Sequence, residues 1–180
     1  ITTMKNDIIH EDAKNLIRGI DFNYLNNKSI LITGASGLLG IYFISCLKFL
    51  KERYNIKVYA WYGNELPNYL EKYFDFNLTR IQHDITDDAY FDGLPKFDII
   101  IHSSGYAQPS KFIEDKIKTI KINTSSTLKL LERLNENGKF LFISSSEVYS
   151  GLTKPPYKES QIGCTNTDHP RACYIDGKKC

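Results

Sequence analysis

A chain of 180 residues with a formal net charge of +2 is long enough for one domain with a real hydrophobic core. Its apolar fraction of 42% and charged fraction of 24% are ordinary for a soluble globular protein, and the charge gives no reason to expect a nucleic-acid partner. No apolar run reaches the roughly 20 residues of a membrane-spanning helix, and no signal peptide is visible. The 4 cysteines form no C-x-x-C pair, so we expect reduced thiols in a cytoplasmic protein and no metal site.

Residues 1–28 are interpreted as an N-terminal extension without chemistry, with a short helix over 10–18 packed on the outside of the domain. From residue 29 onward, apolar strand patterns alternate with helical ones. Strands are predicted over 30–33, 56–61, 77–82, 97–102 and 139–144. Helices or helical turns are predicted over 38–53, 69–73, 86–90 and 110–137, and from 171 onward. Asn137-Gly138 is interpreted as the C-terminal stop of the long helix, and 151–170 as a loop. This alternation predicts an α/β fold with a doubly wound parallel sheet.

A glycine turn joins the first strand to the first long helix. Gly34 permits the tight turn, Gly37 allows close approach to phosphates, and Gly40 allows close packing. The positive end of the helix would face a pyrophosphate. The spacing is G-x-x-G-x-x-G, whereas the common dinucleotide fingerprint is G-x-G-x-x-G. The turn by itself is also compatible with an α/β protein that binds no dinucleotide.

Ligands of such sheets bind beyond the carboxyl ends of the strands, and four of the five predicted ends carry small or polar residues. Besides the glycine turn, these ends are His83-Asp84-Ile85, Ser103-Ser104-Gly105 and Ser144-Ser145-Ser146-Glu147. The second end, Ala60-Trp61-Tyr62, carries no residues suited to contacting a ligand. His83 and His102 are expected to face neighbours rather than to act in catalysis.

Tyr174 and Lys178 lie four residues apart and therefore project from one helix face. An ammonium near a phenol favours the phenolate, which is then a general base. A serine at a neighbouring strand end would hold the substrate oxygen. Alone, the Y-x-x-x-K spacing also describes an ordinary surface pair.

In this order, the motifs resemble the extended short-chain dehydrogenase/reductase family of NAD-dependent nucleotide-sugar epimerases, dehydratases and decarboxylases. The matching stretches within 29–180 are TGASGLLG, HDI, HSSGYAQP, KINTSSTLKLLE, SSSEVY and YIDGK. The resemblance implies a Rossmann-like NAD-binding domain over 29–180, a UDP-sugar or similar nucleotide-sugar substrate, and a homodimer formed through the helix that carries Tyr174 and the long helix around 123–134. Those helices would otherwise simply pack on the sheet.

The resemblance also assigns roles to residues. Tyr174 would be the base, Ser145 would position the hydroxyl, and Lys178 would tune Tyr174 and reach the nicotinamide ribose. Ser146 and Glu147 would act at C5 or C6 of the sugar. The implied cofactor-binding residues are Gly34, Ser36, Gly37, Leu38, Leu39, Gly40, Asp84, Ile85, Ser103, Ser104, Gly105, Asn123, Tyr174 and Lys178. Asn123 is also compatible with a helix kink, and Ser144 or Ser146 with capping of the strand end.

The residue pair after Ser145, which is Ser146-Glu147 in this chain, distinguishes the subgroups of the family. Dehydratases of the family typically carry Asp-Glu there, and simple 4-epimerases usually have no glutamate. Ser-Glu and PRACYIDGKK most resemble the UDP-glucuronate decarboxylases (UDP-xylose synthases), with a 4,6-dehydratase or 4-epimerase as the alternative.

Three features depart from the family pattern. Strand two ends without the acid that holds the ribose 2′-hydroxyl of NAD, and without an arginine for a 2′-phosphate, so NAD rather than NADP rests on the resemblance. Ser150 replaces the usual glycine, and Gly151 follows it. The last strands and the substrate-binding C-terminal part, including a substrate-binding arginine, are expected to be missing. A non-catalytic dinucleotide-binding module and an inactive fragment therefore stay open as alternatives.

Overall fold

The computed structural model describes residues 7–180 and shows a parallel five-stranded sheet in the order β3-β2-β1-β4-β5. The strands are β1 (Ser29–Thr33), β2 (Lys57–Tyr62), β3 (Thr79–Gln82), β4 (Phe97–His102) and β5 (Leu134–Phe142). The α-helices are α1 (Ile8–Leu16), α2 (Leu38–Lys51), α3 (Pro109–Glu114), α4 (Lys116–Asn123), α5 (Ser125–Glu132) and α6 (Ala172–Lys179). Short 3₁₀ helices cover Asn23–Leu25, Asn68–Tyr73, Asp88–Gly93 and Ser146–Tyr149. The predicted Rossmann-like α/β fold is confirmed.

The predicted helix over 110–137 is wrong as a single element, because the chain breaks it twice and ends it at Glu132. Asp115 has φ −116° and ψ 72°, and its side chain accepts a hydrogen bond from the Lys118 N–H to begin α4. Thr124, with φ −120° and ψ −83°, then separates α4 from α5. Asn123 is the last residue of α4 and directly precedes this break, which agrees with the alternative interpretation of Asn123 as a helix-kink residue.

Asn137-Gly138 does not end a helix, because both residues lie within β5. Phe97 pairs with Leu134 while Ile99 pairs with Lys139, so β5 bulges between these two positions. Asn137 supports the bulge at φ +61°, a conformation that asparagine tolerates and that helix caps also use. The strand consequently begins five residues before the predicted start and ends at Phe142.

Alternate side chains of β1 enter two hydrophobic clusters on opposite faces of the sheet, as the strand period requires. Ile30 and Ile32 join the cluster beneath α2, and Leu31 joins the cluster beneath α4 and α5. The N-terminal segment adds Ile17 and Leu25 to the first cluster. Of the helices that the structure describes, none is long and apolar enough to cross a membrane.

Candidate active site

The glycine turn is as tight as its three glycines predict. Gly34 has φ +66°, and a Cβ there would lie 2.6 Å from the Ser103 carbonyl oxygen. A Cβ on Gly40 would lie 2.3 Å from the Gly34 carbonyl oxygen. Gly37 is the N-cap of α2, which carries no acidic residue in its first turn. The backbone N–H groups and the positive helix end are therefore available to an anion.

A cavity of about 310 Å³ lies between this turn and the ends of β4 and β5. We call it the turn cavity. Its lining residues are Gly34, Gly37, Leu38, Leu39, Gly40, Ser103, Ser104, Gly105, Tyr106, Ala107, Ile143, Ser144, Tyr174 and Lys178. Most of the predicted cofactor-binding residues thus meet both Tyr174 and Lys178 around one space.

Tyr174 is positioned by an aromatic residue that sequence reasoning missed. The ring of Phe112 stacks on Tyr174 with centroids 4.5 Å apart and planes 12° apart. The Arg171 guanidinium carbon lies 5.4 Å from the Phe112 centroid. Phe112 is 2% exposed and therefore anchors two residues of the α6 region. No local pattern marks it, because the contact joins α3 to α6.

Lys178 is a buried cation beside Tyr174. Its side-chain nitrogen donates a hydrogen bond to the Ile143 carbonyl oxygen at 2.8 Å and lies 5.9 Å from the Tyr174 centroid. Burial lowers the pKa of Lys178 to about 8. The group is mostly protonated at neutral pH, so α6 places a positive charge beside the Tyr174 ring.

Ser145, Ser146 and Glu147 follow Ser144 but do not line the turn cavity. The Ser145 hydroxyl accepts a hydrogen bond from the Glu147 N–H at 3.2 Å and caps the 3₁₀ helix Ser146–Tyr149. The Glu147 carboxylate accepts a hydrogen bond from Arg171. Glu147 and Tyr174 are therefore linked through Arg171 and Phe112.

Gly151 follows Ser150 at a point in the following loop where a side chain would not fit. It has φ +95°, and a Cβ there would lie 2.2 Å from the Cys164 carbonyl oxygen. Lys179 fixes the same loop to α6 by donating to the Gly163 carbonyl oxygen at 2.8 Å.

A second cavity, of about 240 Å³, adjoins the first at the ends of β2 and β3. We call it the edge cavity. Its lining residues are Gly34, Trp61, Gly63, Asn64, His83, Asp84, Ile85, Ser104, Gly105, Tyr106, Lys118 and Ile122. Asp84 and Ile85, two of the implied cofactor-binding residues, therefore line the edge cavity. Although partial burial acts in the opposite direction, hydrogen bonds from Lys118 and Thr86 lower the pKa of Asp84 to about 2.

Two of the predicted cofactor-binding residues lie outside both cavities. Ser36 lines a separate cavity with Leu38 and Tyr69. Asn123 is 3% exposed, donates to the Thr119 carbonyl oxygen at 2.8 Å, and would lie 3.2 Å from a Cβ on Gly177. Asn123 thus packs where α4 meets α6, and its role in a hydrogen-bond network around the cofactor stays a prediction.

His102 connects three elements beneath the turn cavity. Its Nε2 lies 3.1 Å from the Ile122 carbonyl oxygen, so this nitrogen must carry the proton. Its Nδ1 therefore accepts a hydrogen bond from the Thr33 hydroxyl at 2.7 Å. The Thr33 hydroxyl oxygen also accepts a hydrogen bond from the Ser104 N–H at 3.3 Å. His102 is fully buried and fixes β1, β4 and α4 together, as the neighbour-facing interpretation predicted.

This burial makes stability depend on pH. The pKa of His102 is lowered by burial from 6.5 to about 4, so between these values the unfolded chain binds a proton that the native state excludes. The contribution of His102 to the free energy of unfolding is complete above pH 6.5. It falls as the pH drops through this window, by about 3 kcal/mol at pH 4. Urea unfolding at pH 7 and pH 4.5 measures the loss. In His102→Gln, the loss over this window should be smaller, and equal losses in the two proteins would contradict the assignment.

Within residues 7–180, no group of His, Cys, Asp and Glu side chains is arranged to hold a metal ion. The glycine turn, the two adjoining cavities and the uncapped first turn of α2 are suited to an extended dinucleotide with a pyrophosphate at its centre.

Two curated relatives are similar in sequence. UDP-glucuronic acid decarboxylase 1 of Danio rerio is 31% identical over 156 residues, which cover 86% of this chain and 36% of that protein. UDP-glucuronic acid decarboxylase 6 of Arabidopsis thaliana is 30% identical over 158 residues, which cover 87% and 45%. The chain thus spans less than half the length of these two relatives.

Solved structures share the fold. UDP-glucose-4-epimerase from Stenotrophomonas maltophila, with bound NAD and formylated UDP-arabinopyranose, aligns with a TM-score of 0.63 at 18% identity. This alignment covers 85% of the present chain and 46% of that chain. UDP-glucose 4-epimerase from Bifidobacterium longum, in complex with NAD+ and UDP, aligns with a TM-score of 0.61 at 24% identity and covers 84% and 46%. Residues 30–179 match the NAD dependent epimerase/dehydratase family, and the chain therefore belongs to this family.

Proposed function

We propose that this protein oxidises a nucleotide sugar at C4 with NAD and most resembles UDP-glucuronate decarboxylase in its reaction. The observation that carries this proposal is the turn cavity, where the glycine turn and the Tyr174–Lys178 pair line one space. A UDP-sugar substrate is consistent with the UDP-glucuronic acid decarboxylases among the relatives and with the UDP bound to the Bifidobacterium longum epimerase.

Bound NAD would supply the hydride acceptor beside the sugar. The Tyr174 phenolate removes the proton from the C4 hydroxyl as that carbon is oxidised. The buried Lys178 ammonium stabilises this phenolate by its charge. Ser145 holds the reacting oxygen at the neighbouring strand end. The stacked ring of Phe112 keeps Tyr174 in a fixed orientation.

Oxidation at C4 of a glucuronate makes the C6 carboxylate a β-keto acid. The C5–C6 bond then breaks, carbon dioxide leaves, and the electron pair moves toward the C4 carbonyl. A proton is added at C5, and the stored hydride can return to C4. Glu147 with Ser146 would act at C5 or C6, and Arg171 keeps the Glu147 carboxylate in place.

Two other outcomes use the same oxidation. A 4,6-dehydratase needs an acid for the departing C6 hydroxyl, and Ser146 is not one. A 4-epimerase returns the hydride to the opposite face without carbon loss. A non-catalytic binding module, or an inactive fragment, would bind dinucleotide or nothing and would not turn over substrate.

Mass spectrometry of the products distinguishes these functions. The protein is incubated with NAD and UDP-glucuronate, and thermal unfolding with NAD is followed in parallel. Loss of carbon dioxide supports the decarboxylase. Loss of water from a UDP-hexose supports a dehydratase, and an unchanged mass with a changed C4 configuration supports an epimerase. Thermal stabilisation without turnover supports the binding module, and neither signal supports an inactive fragment.

We further propose that the protein is a cytoplasmic homodimer that pairs through α6, which carries Tyr174, and through α4 and α5. Four apolar side chains on these helices remain well exposed: Ile117 (73%), Ile120 (44%), Leu128 (63%) and Leu131 (43%). Burying such a surface against a second copy would stabilise a dimer.

Leu128→Lys should therefore shift the protein from dimer to monomer in sedimentation velocity. Its matched control is Ile162→Lys in the loop after β5, where the side chain is 72% exposed. The control should leave the dimer unchanged. A monomeric parent protein, or a dimer that persists in Leu128→Lys, would contradict this assembly.

A further inference from the structure

The last two side chains of β2 are aromatic rings packed in the core, and of these two only Trp61 also borders the edge cavity. Trp61 is 1% exposed and donates a hydrogen bond through Nε1 to the His83 carbonyl oxygen at 2.8 Å. Tyr62 is 5% exposed and packs edge-on against Phe74, with centroids 5.8 Å apart. Neither residue offers a carboxylate to a ribose. The next residues to reach the cavity are Gly63 and Asn64.

In the described part of the chain, the segment directly after β2 contributes one polar side chain to the lining of the edge cavity, that of Asn64. Its amide has one acceptor oxygen and two donor hydrogens and carries no charge. A carboxylate at this strand end accepts a hydrogen bond from the ribose 2′-hydroxyl of NAD and repels the 2′-phosphate of NADP. An amide can bond to either group and repels neither of them.

The charged groups of the edge cavity do not restore this discrimination. Asp84 accepts hydrogen bonds from the Thr86 N–H at 2.9 Å and the Thr86 hydroxyl at 2.8 Å. It also accepts one from the Lys118 ammonium at 2.6 Å. The carboxylate is therefore engaged within the protein and is neutralised by a cation at its side. Lys118 also brings a positive charge to the cavity that a phosphate would meet.

We propose that Asn64 holds the adenosine ribose and that this site accepts NADP with an affinity within about tenfold of its affinity for NAD. This inference rests on the proposed dinucleotide function, because it concerns the adenosine end of the same ligand. It also assigns Asn64 as the residue that sets cofactor preference.

Trp61 provides a readout that does not depend on turnover. It is the single tryptophan of the chain and lines the edge cavity, so energy transfer from Trp61 to a reduced nicotinamide reports binding. The protein is titrated with NADH and with NADPH, and the two dissociation constants are compared. We expect a ratio below about ten in the parent protein.

Two variants test the assignment. Asn64→Asp should shift the preference toward NADH by about ten- to a hundredfold, the range expected for a charge-assisted hydrogen bond and a repelled phosphate. Glu65→Gln is the control, because Glu65 is exposed and adjacent in sequence but does not line the cavity. This control should leave both dissociation constants unchanged.

The possible failures are distinguishable. If the parent protein prefers NADH by more than about tenfold, or if Glu65→Gln changes the ratio of the two dissociation constants, the Asn64 assignment is wrong while the dinucleotide function stands. An unchanged ratio in Asn64→Asp would also overturn the assignment. If neither NADH nor NADPH binds, the proposed function fails together with this inference.

Discussion

Replacing Tyr174 by phenylalanine is expected to lower kcat with UDP-glucuronate by about 10²- to 10⁴-fold, the usual contribution of a general base. The variant removes the phenolic oxygen but keeps the ring, so the stacking on Phe112 at 4.5 Å is retained. The fold and the dinucleotide affinity should therefore hardly change. Steady-state kinetics gives kcat, and titration with NADH gives the affinity.

Tyr42→Phe is the matched control for this substitution. The Tyr42 hydroxyl donates a hydrogen bond to Asp12 at 2.9 Å on the contact between α2 and α1, outside both cavities. Loss of that bond should lower stability slightly and leave kcat unchanged. A Tyr174→Phe protein with full activity would exclude Tyr174 as the base. Equal losses of kcat in the two variants would point to a general structural effect.

The strands were predictable because their signals are local. The run Phe97 to His102, which is apolar apart from Asp98 and His102, forms β4 with the predicted bounds and lies inside the sheet between β1 and β5. A strand buried on both faces is apolar over most of its length, so its sequence alone indicates it. The glycine turn is equally local, because its conformation depends on Gly34 and on the absence of a Cβ at Gly40.

The region between β4 and β5 was not predictable in detail, because one signal has two structural meanings. A positive φ at Asn137 followed by Gly138 suits both a helix end and a bulge within a strand. The choice is made by pairing with β4, which extends β5 back to Leu134. A single sequence contains no trace of that pairing.

The site was predictable where its residues share a motif and unpredictable where they meet across the fold. Tyr174 and Lys178 share a helix turn and line the same cavity, as expected. His102 and Thr33, by contrast, are 69 residues apart, and their 2.7 Å hydrogen bond exists only because β1 and β4 are neighbours. The Phe112 contact with Tyr174 likewise depends on how α3 and α6 are placed. Such supporting residues carry ordinary sequence signals of a core or a strand end.

Gly40→Ala should cause a large loss of stability. The new methyl group would lie 2.3 Å from the Gly34 carbonyl oxygen and 2.7 Å from the Ala35 Cα, and both atoms belong to the backbone of the turn. Since backbone cannot rotate away as a side chain does, the turn and α2 must separate, at a cost of about 3 kcal/mol or more. The better helix propensity of alanine returns only about 1 kcal/mol.

Gly93→Ala supplies the comparison, because a Cβ there meets nothing within 4 Å and Gly93 ends a 3₁₀ helix away from both cavities. Urea unfolding should show the control unchanged or more stable by less than about 1 kcal/mol. Gly40→Ala should also weaken NADH binding, because Gly34 and Gly40 both line the turn cavity and any movement of the turn changes the space for the pyrophosphate. If Gly40→Ala unfolds at the same urea concentration as the parent protein, the turn is not held as tightly as these distances require. If its stability falls while its NADH affinity stays at the parent value, the dinucleotide does not bind against this turn, and the site proposed for it would have to lie elsewhere.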